Sequence, residues 1–201
     1  MSVKILGGFA RGQALKVPKG ALIRPTSVLL KRRIFDFYQE LNEIIFVDLC
    51  AGSGAVGFEA WSRGSVRVYL NEINRHVLMA LEENRESLLV KNNHKKNGDI
   101  ICKAMSAPKF LQVFRDEYLK FDIDQQENTV IFLDPPYSEK KIYEEVVEYL
   151  QDDQWFKGQL WIESDGLKGF KSSHWIDSKL NPVKIFEQGD SYIFVTNFPQ
   201  N

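Results

Sequence analysis

The sequence predicts an α/β fold with a mostly parallel sheet, on three observations. Short apolar runs of strand character alternate with longer segments of helical periodicity between residues 44 and 163. A glycine-rich turn separates the first of these strands from the helix that follows it. The last two strand candidates are joined by Gln-Gly-Asp, which predicts a closing hairpin and hence one antiparallel strand.

An amino-terminal extension precedes this alternating region. Residues 3–17 contain two glycine-centred breaks and predict a small β-hairpin or extended arm, and residues 24–27 predict a loop that opens a helix. With 201 residues, the chain is long enough for one domain with a small appendage. We expect a basic arm and helix over residues 1–41 and the main domain over residues 42–201.

The elements of the main domain follow from apolar periodicity. The predicted strands are Ile44–Leu49, Val66–Leu70, Ile100–Cys102, Val130–Leu133, Gln159–Glu163, Val183–Glu187 and Ser191–Thr196. The predicted helices are Ala55–Arg63, Arg75–Val90, Lys109–Tyr118 and Ile142–Leu150.

Charge is distributed unevenly along the chain. The formal net charge is only -1, but residues 1–40 carry eight basic and two acidic side chains, a local charge of +6 that leaves -7 for the remainder. A basic end on an acidic body indicates a polyanionic partner such as nucleic acid. A solvated charged face is the alternative interpretation.

The remaining composition argues against several classes of protein. Cys50 and Cys102 are far apart and the three histidines are scattered, so we expect neither a disulfide framework nor a metal site. The chain shows neither the apolar core of a signal peptide nor an apolar run of membrane-spanning length. We therefore expect a cytoplasmic protein, and separately we expect a monomer.

A glycine-rich segment follows the first predicted strand. Gly52, Gly54 and Gly57 satisfy the spacing G-x-G-x-x-G, and Glu72 ends the second strand. Glycines allow a tight turn and close approach of a ligand to the backbone, and a carboxylate after the second strand can accept hydrogen bonds from ribose hydroxyls. The pattern indicates a cofactor that contains adenosine, and a structural turn with a chance acid is the alternative.

Asp48 helps to distinguish between two such cofactors, because it closes the first strand directly ahead of the glycines. A carboxylate in a partly buried site would repel the pyrophosphate of NAD by an energy on the order of several kcal/mol. S-adenosyl-L-methionine has no phosphate, and its ammonium and sulfonium are cationic. We therefore expect S-adenosyl-L-methionine, with an NAD-dependent oxidoreductase as the weaker alternative.

The segment Asp134-Pro135-Pro136-Tyr137 ends the fourth predicted strand. Ligands of such sheets bind outside the carboxyl ends of the strands, so Asp134 and Asp48 are expected to face one crevice. An exocyclic base amine has a delocalised lone pair and needs acceptors that orient it. The Asp134 carboxylate and the Pro135 carbonyl can serve, while the prolines stiffen the loop and Tyr137 can stack on the base. The motif predicts methyl transfer to an amino group.

Seven segments occur in the order found in the RsmD-like family of 16S rRNA guanine-N2 methyltransferases, which the sequence resembles over nearly its whole length. They are VKILGGFARGQAL, RPTS, FVDLCAGSGAVGFEAWSRG, NEINR, IFLDPPY, WIESD and GDSYIFVT. The resemblance implies a Rossmann-like class I methyltransferase fold, S-adenosyl-L-methionine as cofactor and small-subunit rRNA as partner, free or within an assembled ribosomal subunit.

The resemblance also implies roles for individual residues. The expected cofactor-binding residues are Asp48, Ala51, Gly52, Ser53, Gly54, Glu72, Ile73 and Ala104. The expected catalytic residues are Asp134, Pro135, Pro136 and Tyr137. The expected RNA-binding residues are Arg11, Lys16, Arg24 and Lys31.

The chain departs from the family pattern at several positions. Leu29 and Arg32 stand where relatives usually have Arg and Glu, and Lys103 stands where they place an acceptor for the adenine amino group. Lysine cannot accept a hydrogen bond, so Ser106 or the backbone would have to do so. The rival interpretations are an adenine-N6 methyltransferase, although roughly 200 residues leave no space for its usual target-recognition domain, and an RNA-binding protein without catalysis.

Overall fold

The computed structural model describes residues 3–17, 28–93 and 98–198. The strands are β1 (Val3–Lys4), β2 (Ala14–Leu15), β3 (Ile45–Asp48), β4 (Arg67–Asn71), β5 (Asp99–Lys103), β6 (Thr129–Leu133), β7 (Gln159–Asp165), β8 (Pro182–Gln188) and β9 (Ser191–Asn197). The α-helices are α1 (Val28–Phe37), α2 (Gly57–Ser62), α3 (Arg75–Lys91), α4 (Ala107–Tyr118), α5 (Ile123–Glu127), α6 (Lys140–Gln151) and α7 (Ser172–Asp177).

Seven strands form one sheet in the order β5-β4-β3-β6-β7-β9-β8. The pairs from β5 to β7 are parallel, whereas β9 runs antiparallel to both β7 and β8. Strands β1 and β2 form a separate antiparallel hairpin. The predicted fold class is therefore confirmed, including the single antiparallel strand and the amino-terminal hairpin.

Side chains along the central strands point alternately to the two faces of the sheet, so the core is divided between these faces. Phe46 and Phe132 pack on the face that carries α1, α2 and α3, whereas Val47 and Ile131 pack on the opposite face with α4 and α6. Successive side chains of a strand point to opposite faces, so these fully buried strands are apolar on both.

Element boundaries differ from the predictions mainly near loops. Helix α2 begins two residues later than predicted because the glycine-rich segment continues as consecutive turns through residue 56. Helices α5 and α7 have five and six residues, which is too short for apolar periodicity to be recognised in the sequence. No helix in the described ranges combines the length and apolarity that crossing a membrane requires.

The amino-terminal hairpin is held against α2 by a buried ionic network centred on Glu59. Its two carboxylate oxygens accept the backbone N–H groups of Leu6 and Gly7, each at 2.7 Å. Arg63 donates from Nε at 2.9 Å, and the Lys31 ammonium lies 3.7 Å from Glu59. Burial lowers the pKa of Lys31, although Glu59 opposes this shift.

The same network corrects one expectation about the extension. Lys31 was expected to bind RNA, but its side chain is only 2% exposed and is committed to Glu59. A buried ammonium cannot reach a phosphate at the surface, so that expectation is wrong. The expected division between the amino-terminal extension and the main domain at residue 41 stays a prediction. Ile5 and Leu15 of the hairpin region and Leu30 of α1 belong to the same core as one face of the sheet.

Candidate active site

Three carboxylates meet at the carboxyl ends of the central strands. Asp48 is the last residue of β3, Asp134 follows β6, and Glu163 lies near the end of β7. Leu133 pairs with Ile162, so Asp134 and Glu163 are the next neighbours along the two strands. All three carboxylates line one cleft of about 800 Å³.

The glycine loop forms one wall of this cleft. Ala51, Gly52 and Ser53 line it. Gly54 has a φ of 79°, and its N–H donates to the Ala51 carbonyl at 2.7 Å. A Cβ at Gly54 would lie 2.3 Å from the Phe58 ring, so only glycine fits this turn.

Glu72 connects the glycine loop to the end of β4. Its Oε2 accepts the Gly52 N–H at 3.0 Å, and its Oε1 accepts the Asn74 N–H at 2.7 Å. Glu72 is half-buried and lines the cleft, as does the neighbouring Ile73, which is exposed. Each carboxylate oxygen has a second lone pair, so Glu72 can also accept from a ligand hydroxyl.

Asp48 is a buried acid of the cleft with a strongly raised pKa. Its side chain is 2% exposed, and Oδ2 accepts the Gly57 N–H at 3.2 Å. Burial raises the pKa of Asp48 to about 7, against the opposing effect of backbone N–H groups. A cation bound beside this carboxylate would favour the ionised form.

The turn after β5 is held by a buried amide that sequence reasoning missed. Asn71 donates to the carbonyls of Leu49 and Met105, both at 3.0 Å, and accepts the Met105 N–H at 3.1 Å. Within the described residues, the cleft lining includes Met105 and Ser106 but not the exposed Ala104. The expected cofactor contact at Ala104 stays a prediction, and its neighbours Met105 and Ser106 line the cleft.

The Asp134–Tyr137 loop forms the opposite wall. All four of its residues line the cleft. The Tyr143 hydroxyl lies beneath them, 3.2 Å from the Pro135 carbonyl and 2.8 Å from the Glu163 carbonyl. Burial, and secondly the Asp134 charge, raise the pKa of Tyr143, so its hydroxyl remains a donor. No feature of the motif itself indicated this tyrosine.

The loop after β7 closes the cleft beyond Glu163. Asp165 accepts the backbone N–H groups of Leu167 at 3.0 Å and Lys168 at 2.9 Å, and Ser191 donates to it at 3.1 Å. Burial raises the pKa of Asp165, but these hydrogen bonds outweigh it and the pKa lies below its usual value. Lys168 and Ser191 both line the cleft, and neither was predicted from the sequence.

The expected RNA-binding residues that the structure describes have different surroundings. Arg11 lines a second cleft of about 480 Å³ together with Arg32 and Arg63. Lys16 is exposed and pairs with Glu83 of α3 at 2.9 Å. Arg24 lies outside the described residues.

The strand order identifies the class of protein. The sheet has one antiparallel strand, β9, inserted between β7 and β8, which is the arrangement expected above for a class I methyltransferase. The glycine loop and Glu72 occupy the ends of β3 and β4, where ligands of such sheets bind.

Comparisons with known proteins identify the family. The family described as Conserved hypothetical protein 95 matches residues 3–179. Ribosomal RNA small subunit methyltransferase D of Haemophilus influenzae is 30% identical over 156 residues, which are 77% of this chain and 74% of that protein. The chain belongs to this family, the RsmD-like methyltransferases.

Solved structures agree in fold. The Escherichia coli protein yhhF matches with a TM-score of 0.72 at 23% identity and covers 100% of both chains. An RNA methyltransferase from Salinibacter ruber, solved in complex with S-adenosyl-L-homocysteine, matches with a TM-score of 0.56 at 12% identity. That match covers 89% of this chain and 95% of the Salinibacter protein.

Proposed function

We propose that the protein methylates the exocyclic N2 amine of a guanine in small-subunit rRNA. The observation that carries the proposal is a single cleft that combines the glycine loop with the Asp134–Tyr137 loop. The first element suits a nucleoside cofactor and the second suits a flat base that bears an amine. The name of the Haemophilus relative supports small-subunit rRNA as the substrate.

The residues on the β3 and β4 side fit S-adenosyl-L-methionine. When bound, this cofactor supplies an electrophilic methyl carbon on a cationic sulfur. Glu72 would accept from ribose hydroxyls, because Gly52 and Asn74 hold its carboxylate in the cleft. Asp48 would compensate the cationic part, and its raised pKa of about 7 shows that the buried charge is costly without such compensation.

The loop after β6 would orient the target amine. The Asp134 carboxylate and the Pro135 carbonyl can accept its two N–H groups, which directs the nitrogen lone pair toward the cofactor side of the cleft. The Pro135 carbonyl oxygen already accepts a hydrogen bond from the Tyr143 hydroxyl, which helps to fix the direction of this oxygen. Its second lone pair remains available to the target amine. Tyr137 would stack on the base, and positioning of this kind accounts for most of the catalysis we expect.

The second cleft would bind the RNA backbone. Three guanidinium groups line it, from Arg11, Arg32 and Arg63, and one carboxylate, from Asp36, faces them. Arg63 is itself held rigidly, since it donates to Glu59 at 2.9 Å and to the Phe35 carbonyl at 2.8 Å. Arg63 is therefore already engaged and only 9% exposed, so Arg11 and Arg32 are the guanidinium groups that would bind phosphate, in a bidentate manner.

Mass spectrometry of rRNA from cells with and without the gene tests this function. We expect one guanine of the small-subunit rRNA to lose a methyl group at N2 in the deletion strain, and a plasmid copy to restore it. Purified protein should then methylate small subunits from the deletion strain, and the same assay on naked rRNA identifies the preferred form. An N6-methyladenine product, or an unchanged methylation pattern, would contradict the proposal.

A further inference from the structure

Glu163 is a buried carboxylate of the cleft to which the methyl transfer described above gives no role. Its side chain is 2% exposed and lines the same cleft as Asp134. The two residues are neighbours on adjacent parallel strands, one position beyond the Leu133–Ile162 pair. Adjacent strands are about 4.8 Å apart, so the backbones of the two residues lie within the width of one base, and both residues line the same cleft.

The position of Glu163 is rigid relative to the Asp134–Tyr137 loop. The Tyr143 hydroxyl contacts the backbone carbonyls of Glu163 and Pro135, at 2.8 and 3.2 Å. On its other side Glu163 pairs with Ile193 of β9. These contacts hold the backbone of Glu163 next to the Asp134–Tyr137 loop, and the buried Glu163 side chain lines the same cleft as that loop.

Two adjacent carboxylates select a base by its hydrogen-bonding pattern. An ionised carboxylate only accepts hydrogen bonds, so a matching ligand must present donors at neighbouring positions. Guanine does so, with N1–H beside the N2 amine, whereas adenine presents an unprotonated N1 beside its N6 amine. Lys168 lines the same cleft and adds a cationic donor, which suits the O6 acceptor of guanine and opposes an amine.

We propose that Glu163 determines specificity by accepting the N1–H of the target guanine while Asp134 engages the N2 amine. This inference rests on the proposed function. It assigns the choice of base to the cleft itself, and it limits the amino-terminal basic residues to placing the RNA. A site built around a carboxylate acceptor rejects a base with an unprotonated N1, because two lone pairs would then face each other without a proton.

Base analogues at the methylated position test the proposal. Small-subunit rRNA carrying 2-aminopurine or 2,6-diaminopurine there keeps the N2 amine but has an unprotonated N1. We expect kcat/KM of the wild-type protein to fall on the order of 100-fold on both analogues relative to guanine. Glu163→Gln should reduce the guanine rate about tenfold and raise the rate on both analogues above that of the wild type, because its amide can donate to N1.

Two controls separate the outcomes. Glu144→Gln removes an exposed carboxylate of α6 and should retain the wild-type preference. Binding of S-adenosyl-L-homocysteine to Glu163→Gln should match the wild type, which shows that the variant is folded. Equal wild-type rates on guanine and both analogues would overturn the role of Glu163 while the proposed function stands. No methylation of guanine by the wild type would overturn the proposed function.

Discussion

Lowering the pH from 8 to 6 should weaken binding of S-adenosyl-L-methionine about tenfold, because only the ionised form of Asp48 attracts the cofactor's positive charge. Burial places the pKa of Asp48 near 7 in the unbound protein. With that pKa, the carboxyl is about 90% ionised at pH 8 and about 10% ionised at pH 6. If binding requires the ionised form, the apparent Kd rises about tenfold, which corresponds to about 1.4 kcal/mol.

Calorimetric titration at pH 6, 7 and 8 measures this dependence directly. At pH 7, binding should also release about half a proton, which appears as a dependence of the observed enthalpy on the ionisation enthalpy of the buffer. Asp48→Asn should bind weakly at every pH and lose the dependence. Glu72→Gln should bind weakly but keep it, since Asp48 remains.

Two results would refute the reasoning about Asp48. The first is an affinity that does not change between pH 6 and 8 in the wild-type protein. The second is a dependence that survives in Asp48→Asn, which would assign the titration to another group. Stability supplies an independent check, because the raised pKa means that the contribution of Asp48 to the stability of the unbound protein falls as the pH rises from about 4 to 7, and Asp48→Asn should remove that contribution.

Three further outcomes are expected from other parts of the structure. Asp134→Ala should reduce kcat at least 100-fold, measured by single-turnover methylation, while the cofactor affinity, measured by calorimetry, stays within about twofold of the wild type. Weaker cofactor binding would contradict the assignment of this residue to the target base. Glu59→Gln should lower the free energy of unfolding, measured in urea, by about 3 kcal/mol or more, because it leaves two buried cations without their partner. The control Glu83→Gln breaks an exposed ion pair and should lower it by less than about 1 kcal/mol. Equal effects of the two substitutions would argue against the buried network. The double variant Arg11→Ala, Arg32→Ala should weaken RNA binding and reduce the slope of log K against log salt concentration by about two. Filter binding measures this slope, and the cofactor affinity serves as control. An unchanged slope would show that the second cleft is not part of the RNA interface.

Local features of the chain were sufficient to predict the architecture. The alternation of apolar runs with helical periodicity predicted the parallel sheet, and the Gln-Gly-Asp turn predicted the antiparallel strand, because both signals depend on residues close in sequence. The glycine loop was predicted for the same reason. Gly54 needs a positive φ and a space without a side chain, and this requirement is visible in the residue type.

Burial and partners between distant segments were decided by tertiary structure. Lys31 belongs to a basic run in the sequence, but packing of α1 against α2 turns it inward to Glu59, which lies 28 residues away. Ala104 was expected in the cleft, whereas Asn71 holds the neighbouring turn so that Met105 and Ser106 line it. Contacts of this kind depend on the register of whole elements, which no local pattern encodes.

The sequence by itself determined the fold class, the family resemblance and the chemistry offered at the ends of β3 and β6. Only the tertiary structure placed Glu163 beside Asp134, because that neighbourhood depends on the pairing of β6 with β7. It likewise brought Tyr143 beneath the loop and grouped Arg11, Arg32 and Arg63 around one cleft. Residue types thus predict which chemistry is available, and the register of the sheet decides which groups act on the same ligand.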